Sequence, residues 1–141
     1  MIKDGLALTG KLSIALNGET VQKVDNLVVT AGKGYVASRM KDTSATAMSH
    51  MAIGTGSTAA AAGNTALGNQ AARVSLTSTT VSGADIVYVA TFPAGTGTAA
   101  ITEAGILNAS SSGTLLCRTV FSVVNKGASD SMTITWTVTV S

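Results

Sequence analysis

The chain has 141 residues, with 9 Lys and Arg against 7 Asp and Glu and a net charge of +2. Only 11% of the residues are charged, so the clustered basic stripe that nucleic-acid binding needs is missing, and the pI near 8.9 reflects two surplus cations in a nearly neutral chain. The one cysteine, Cys117, excludes an intramolecular disulfide, and no apolar run approaches the roughly 18 residues of a membrane span.

A single domain of this length buries about 68–70% of its unfolded surface and needs no staples. The mean hydropathy of +0.39 comes from Ala, Val, Ile and Leu spread through Thr-, Ser- and Gly-rich sequence. In a chain of low charge, that points to a surface largely covered by partners. Met1-Ile-Lys-Asp-Gly5 lacks a signal-peptide core, and Cys117 reads as a small buried thiol. Both fit synthesis in a reducing cytoplasm.

Leu6, Leu8, Leu12, Ile14 and Leu16 alternate with smaller or polar residues, which is the period of a β-strand. Asn17-Gly18 follows, the strongest signal for a two-residue hairpin turn. Thr20–Val24 reads as the returning strand, and Leu27-Val28-Val29 continues it after a turn at Asp25-Asn26. Residues 1–29 are therefore expected to form a β-hairpin arm. Thr30–Met40 is the one convincing helix, with Thr30 as its cap, Tyr35, Val36 and Met40 on one face, and Gly32 and Gly34 weakening its first turn. Residues 30–46 then make a helix and linker. Lys23, Lys33, Arg39 and Lys41 read as a solvated face.

Residues 47–141 carry about six further strands with turn signals about every 8–12 residues, the spacing of an antiparallel sandwich or jelly roll. Ala47–Ile53 is the first. Ser57–Gln70 is low in complexity and reads as an ordered loop packed on the sheet or on a neighbour. Ala71–Thr80, Asp85–Phe92, Ile101–Asn108 and Thr114–Val124 follow, with Pro93 closing the second of these. The last strand alternates Met132, Ile134, Trp136, Val138 and Val140 with four threonines. It is expected in mid-sheet, with its apolar face closing the core against Thr114–Val124. Tyr88, Phe92, Phe121 and Trp136 are the expected aromatic core.

Few residues offer chemistry. His50 has no metal-ligand companion at useful spacing. Of the acids Asp4, Glu19, Asp25, Asp42, Asp85, Glu103 and Asp130, only Glu103 lies inside an apolar strand. Arg73 and Arg118 are the matching oddities, cations among apolar strand neighbours. A buried carboxylate requires a partner, so Glu103 is expected to pair with Arg73 or Arg118, or one of these charges lies at a subunit interface. Gly54-Thr-Gly-Ser-Thr58 and Gly95-Thr-Gly-Thr98 superficially resemble phosphate loops but lack the Gly-Lys-Ser/Thr ending. No nucleophilic triad can be assembled. The chain reads as a non-enzyme without cofactor or metal.

Several stretches together carry a resemblance. Met48-Ser-His-Met-Ala-Ile-Gly-Thr-Gly-Ser-Thr58, Ala66-Leu-Gly-Asn-Gln-Ala-Ala-Arg-Val74, Tyr88-Val-Ala-Thr-Phe-Pro-Ala-Gly95, Ile101-Thr-Glu-Ala-Gly-Ile-Leu-Asn108 and Ile134-Thr-Trp-Thr-Val138 are similar to a family of tailed-bacteriophage virion structural proteins. The resemblance spans residues 26–141 and implies a small jelly-roll module on a phage particle. Some such proteins are capsid cement or decoration proteins, trimers that bind the major capsid protein across capsomer boundaries. Others are labelled tail-fibre or baseplate proteins, and the alternative expectation is such a component, with host-glycan binding as a candidate role. The chain holds no shaft repeat or separate attachment domain, and it has few aromatics to spare for a sugar site. The expectation is therefore a homotrimeric cement protein on the capsid surface, with no nucleic-acid or membrane partner. Its arm, Leu6, Leu8, Leu12, Ile14 and Leu16, would extend a neighbour's sheet.

Overall fold

The computed structural model describes residues 5–41 and 45–141. The fold is all-β and antiparallel with one short helix, as the strand spacing predicts. The strands are β1 (Leu8–Leu16), β2 (Glu19–Val28), β3 (His50–Gly54), β4 (Gln70–Ser75), β5 (Ser78–Ser82), β6 (Asp85–Phe92), β7 (Ala99–Leu107), β8 (Leu115–Lys126) and β9 (Met132–Val140), with helix α1 (Thr30–Lys41) between β2 and β3. They form one curled sheet in the order β4-β3-β7-β8-β2-β1-β9-β6-β5.

Two corners fold this sheet into facing halves. In β2, Glu19 to Asn26 pair with β1, while Leu27 and Val28 pair with Cys117 and Arg118 of β8. The second corner lies between β4 and β5. The Leu76 N–H donates to the Ser49 carbonyl at 2.9 Å, and the next N–H, of Thr77, donates to the Val89 carbonyl at 2.7 Å. Consecutive N–H groups in a strand point to opposite sides, so this dipeptide passes the chain from one half to the other. The single strand expected over Ala71–Thr80 is thus two strands with a bend.

The expected arm is built into the sheet. Asn17 (φ 52°) and Gly18 (φ 84°) do make the hairpin turn. However, β1 lies between β2 and β9, with Leu12 and Ile14 buried in the chain's own core and Leu8 and Leu16 packed against it. Leu6 alone of the five arm residues stands out in solvent, 74% exposed. The reason is register. β1 pairs along its whole length with β9, from Leu8 opposite Val140 to Leu16 opposite Met132, so its inward residues have no freedom to leave. Asp25 and Asn26 likewise lie within β2 and make no turn.

The main core lies between the two halves. It joins Leu12, Ile14, Tyr88, Phe92, Ile134 and Trp136 on one side to Met51, Ile53, Ile101, Ile106 and Phe121 on the other. Tyr88, Phe92, Phe121 and Trp136 are all buried. β9 sits in mid-sheet between β1 and β6, and Trp136 is flanked in register by Leu12 and Tyr88. It shares no ladder with β8, which belongs to the opposite half.

Helix α1 packs against β8, with Gly32 at Leu116. The Val29 carbonyl accepts the first helical bond, from Lys33 N–H at 3.1 Å, so Val29 rather than Thr30 holds the cap position. The orphan N–H of Thr30 is taken by the Ala62 carbonyl at 2.8 Å. Gly32 permits this packing, since a Cβ there would lie 2.1 Å from the Leu116 carbonyl oxygen. Tyr35 and Val36 pack on the core, but Met40 is 81% exposed. The helix is anchored through its first turns, and its last turn projects beyond the sheet.

Candidate functional site

The outer face of the β3–β7–β8 half is covered by residues 55–69. Beneath them lies a second, small apolar cluster of Val29, Ala52, Leu107 and Leu115, with Ala31 and Leu67 against it. A register shift between Ile101 and Glu103 turns Glu103 away from the main core and into this outer layer.

The Glu103 carboxylate organises the loop. One oxygen, Oε2, accepts from the N–H groups of Gly56 and Asn69, each at 2.7 Å. The other, Oε1, accepts from Gly68 N–H at 2.7 Å and from Arg118 Nε and Nη2 at 3.0 Å. Arg118 then reaches outward, donating from Nη1 to Asn64 Oδ1 and from Nη2 to the Thr58 carbonyl, both at 3.0 Å. Both ends and the middle of the loop are thereby tied to one buried ion pair. Burial acts against the charged form of Glu103, but the amides of Asn69, Gly68 and Gly56 and the Arg118 guanidinium outweigh it and hold its carboxyl below the ordinary range.

The glycines around this pair are sterically required. A Cβ on Gly56 would come within 2.3 Å of Glu103 Oε2, and one on Gly54 within 2.3 Å of the Asn69 carbonyl. The Gly54-Thr-Gly56 likeness to a phosphate loop therefore has a physical basis. Its Gly56 amide does meet an anion, together with the amides of Gly68 and Asn69, and the chain supplies that anion itself. Further bonds seal the neck of the loop: Thr55 N–H to the Asn69 carbonyl at 2.9 Å, Asn69 Nδ2 to Thr55 Oγ1 at 2.7 Å, and Thr102 Oγ1 to the Gly56 carbonyl at 2.8 Å.

Of the two arginines expected as partners of Glu103, Arg118 takes the role. Arg73 is engaged elsewhere. Its guanidinium donates to Gln70 Oε1 and to the carbonyls of Ala109 and Ser112, tying β4 to the β7–β8 turn. In register Arg73 faces Ala52 of β3, with β3 standing between it and β7.

His50 is half-buried at the start of β3, with Nδ1 2.7 Å from Ser49 Oγ. Cys117 is fully buried, and that burial pushes its thiol up. Among the described residues no three of His, Cys, Asp or Glu gather where a metal could bind.

Lys126 escaped the sequence reading. It is buried at the end of β8 and donates from Nζ to the Pro93 carbonyl at 2.9 Å. The available signal was its inward position two residues after Val124, where a lysine is unusual. Asn17 and Asp130 were also missed as a pair. Asn17 Nδ2 donates to Asp130 Oδ1 at 2.8 Å and Asn17 Oδ1 accepts from Ser131 N–H at 2.9 Å, latching the β1–β2 hairpin to the β8–β9 loop.

What the site presents outward is a surface of small neutral residues. Ser57, Thr58, Ala59, Ala61, Ala62, Gly63, Thr65 and Ala66 are exposed on a loop held rigidly from below. Such a surface can bind by shape and backbone polarity at little entropic cost, because its conformation is set in advance. Comparison of the chain with protein-family models, curated proteins and solved structures finds no match.

Proposed function

We propose that the protein is a bacteriophage capsid cement protein and that the 55–69 loop is its binding face for the major capsid protein. The observation that carries this reading is the clamp. A fully buried Glu103–Arg118 pair and three backbone amides fix a loop whose exposed residues are almost all Ala, Gly, Ser or Thr. Fixing a surface loop so thoroughly serves recognition of a partner of fixed shape, and a capsid lattice is one. Many copies, each burying a modest interface across capsomer boundaries, sum to a large resistance against internal genome pressure. With β1 locked in the sheet, attachment proceeds through a preformed surface and not through donation of the Leu6–Val24 hairpin.

Electron microscopy and heat challenge of particles made without the protein test the reading. Fragile or genome-leaking heads support it, and normal heads that fail to adsorb to host cells place the protein in the tail or baseplate instead. Ala59→Lys and Thr65→Lys, on exposed loop positions, should leave the melting temperature of the free protein unchanged and abolish its recovery with purified heads. Full recovery of both variants with heads would remove the loop from the interface.

A further inference from the structure

β5 (Ser78–Ser82) is a terminal strand of the sheet, paired with β6 on one side and with no strand beside it on the other among the described residues. Natural proteins protect such edges with charges, proline or bulges along the strand. β5 carries none of these devices over Ser78-Thr-Thr-Val-Ser82, and all five residues are exposed, Val81 to 70%.

The orientation of the free backbone groups follows from the turn. Gly83 (φ 60°) and Ala84 connect β5 to β6 as a two-residue turn with glycine first, which makes Ser82 and Asp85 the closing hydrogen-bonded pair. By alternation, Thr80 bonds to β6, opposite Val87, while the N–H and C=O groups of Thr79 and Val81 face the open edge. The Thr79 and Val81 side chains line a mostly apolar cavity of about 360 Å³ together with Ile86, Tyr88, Val138 and Val140, with Arg39 as its one charged lining residue. An added strand would therefore gain both backbone bonds and an apolar side.

We propose that this edge is a self-association site, at which β5 of a second copy pairs antiparallel across a two-fold axis with Thr80 facing the second copy's Thr80. This register overlaps all five residues. It places Thr79 opposite Val81 twice, so both outward-facing sets of N–H and C=O groups meet their counterparts. It also brings no like charges together, since the strand has no charged residue. Two copies of the same edge are complementary because an isologous contact needs only that residue i meet j and j meet i. A partner strand bearing charge would find no opposite charge along β5 to pair with. The inference concerns the free protein and stands apart from the virion reading.

Cysteine crosslinking of the full-length protein tests the register, and buried Cys117 does not interfere. Thr80→Cys should form a disulfide-linked dimer under mild oxidation, because facing residues lie within about 4.5–5.5 Å at Cβ. Ser78→Cys and Ser82→Cys should each stay monomeric, since each would lie about 14 Å from its own equivalent, yet the two mixed should crosslink. Adding Val81→Lys to Thr80→Cys should cut the yield by about tenfold or more. All four positions are exposed, so an unchanged melting temperature in each variant separates lost pairing from lost folding. A folded Thr80→Cys variant that stays monomeric overturns the proposal. So does equal crosslinking at all three cysteine positions, or a three-fold assembly that forms without the position-80 crosslink.

Discussion

The Glu103 carboxylate and the Arg118 guanidinium meet at 3.0 Å with 0% and 2% of their side chains exposed. A pair so buried contributes little net stability, because the desolvation of two ions nearly offsets their attraction. Its consequence is conformational. The other hydrogen bonds of the pair go to loop backbone groups and to Asn64, so the pair specifies one shape for residues 55–69.

Removing one partner should therefore cost far more than removing both. Arg118→Met leaves a buried carboxylate and should destabilise the fold by about 3–5 kcal/mol, as should Glu103→Leu. The double variant should lose less than the sum, with a coupling of about 1–3 kcal/mol measured by urea unfolding in a double-mutant cycle. Strict additivity would mean that the two side chains do not act as a unit.

The clamp should also open in acid. Glu103 titrates below its ordinary value of 4.5 in the folded protein. The unfolded chain therefore binds this proton first as pH falls. The stability that the charged form contributes is complete above the unfolded value and is lost as pH drops through the folded one. Asp130, held low first by Asn17 and then by the Gly127 amide, acts in the same direction at the β1–β2 hairpin. Exchange of the Gly56, Gly68 and Asn69 amides, taken relative to its intrinsic rate, should accelerate in the wild type as pH falls below the ordinary carboxylate value. In Glu103→Gln it should be fast throughout, with little pH dependence beyond the intrinsic exchange chemistry.

Gly32→Ala tests the seating of α1. In an exposed helix, alanine stabilises relative to glycine by about 1 kcal/mol. Here the added methyl would lie 2.1 Å from the Leu116 carbonyl oxygen. The substitution should destabilise by about 1–3 kcal/mol through overpacking. Gly34→Ala, with open space around its Cβ position, should be neutral or stabilising. Thermal melts of the two variants should thus shift in opposite senses or, at the least, separate clearly.

Asn26 lies over Gly10, where a Cβ would come within 1.7 Å of its side-chain oxygen, and both polar atoms of its amide are buried without a hydrogen-bond partner. Asn26→Leu keeps the approximate shape and removes the unsatisfied amide. It should raise stability by about 1–3 kcal/mol, read as a higher urea midpoint at unchanged slope. Gly10→Ala should do the opposite.

Trp136→Ala should cost about 3–5 kcal/mol, the range for deleting a large buried aromatic. The expected phenotype is loss of folded protein. A variant that folds with wild-type stability would contradict the packing of β9 between β1 and β6.

The terminal strand was legible because Thr/apolar alternation specifies both a strand and which face it buries. The Asn17-Gly18 turn was legible because few other dipeptides accept two positive φ angles. Helix α1 could be read to within one residue at its end. The corner at Leu76-Thr77 could not, since Leu76 continues the alternation of Val74 and the bend is a matter of which carbonyl each N–H meets. The ion pair was half legible. Glu103 announced the need for a cation, but the choice of Arg118 over Arg73 rests on register, with Gly105 facing Arg118 on adjoining strands.

By itself the sequence determined local geometry. It set most of the strands and turns, the one helix, the aromatic core and the presence of a buried charge, because these depend on period, φ preference and desolvation along a single stretch. The tertiary structure decided what each stretch was for. It placed β1 between two other strands, so residues that would suit a free arm became core. It wrapped an Ala/Gly loop of no periodicity around Glu103, and it left β5 as an uncharged open edge. These outcomes depend on pairings between residues tens of positions apart, and no local pattern encodes which partner a strand's hydrogen bonds will meet.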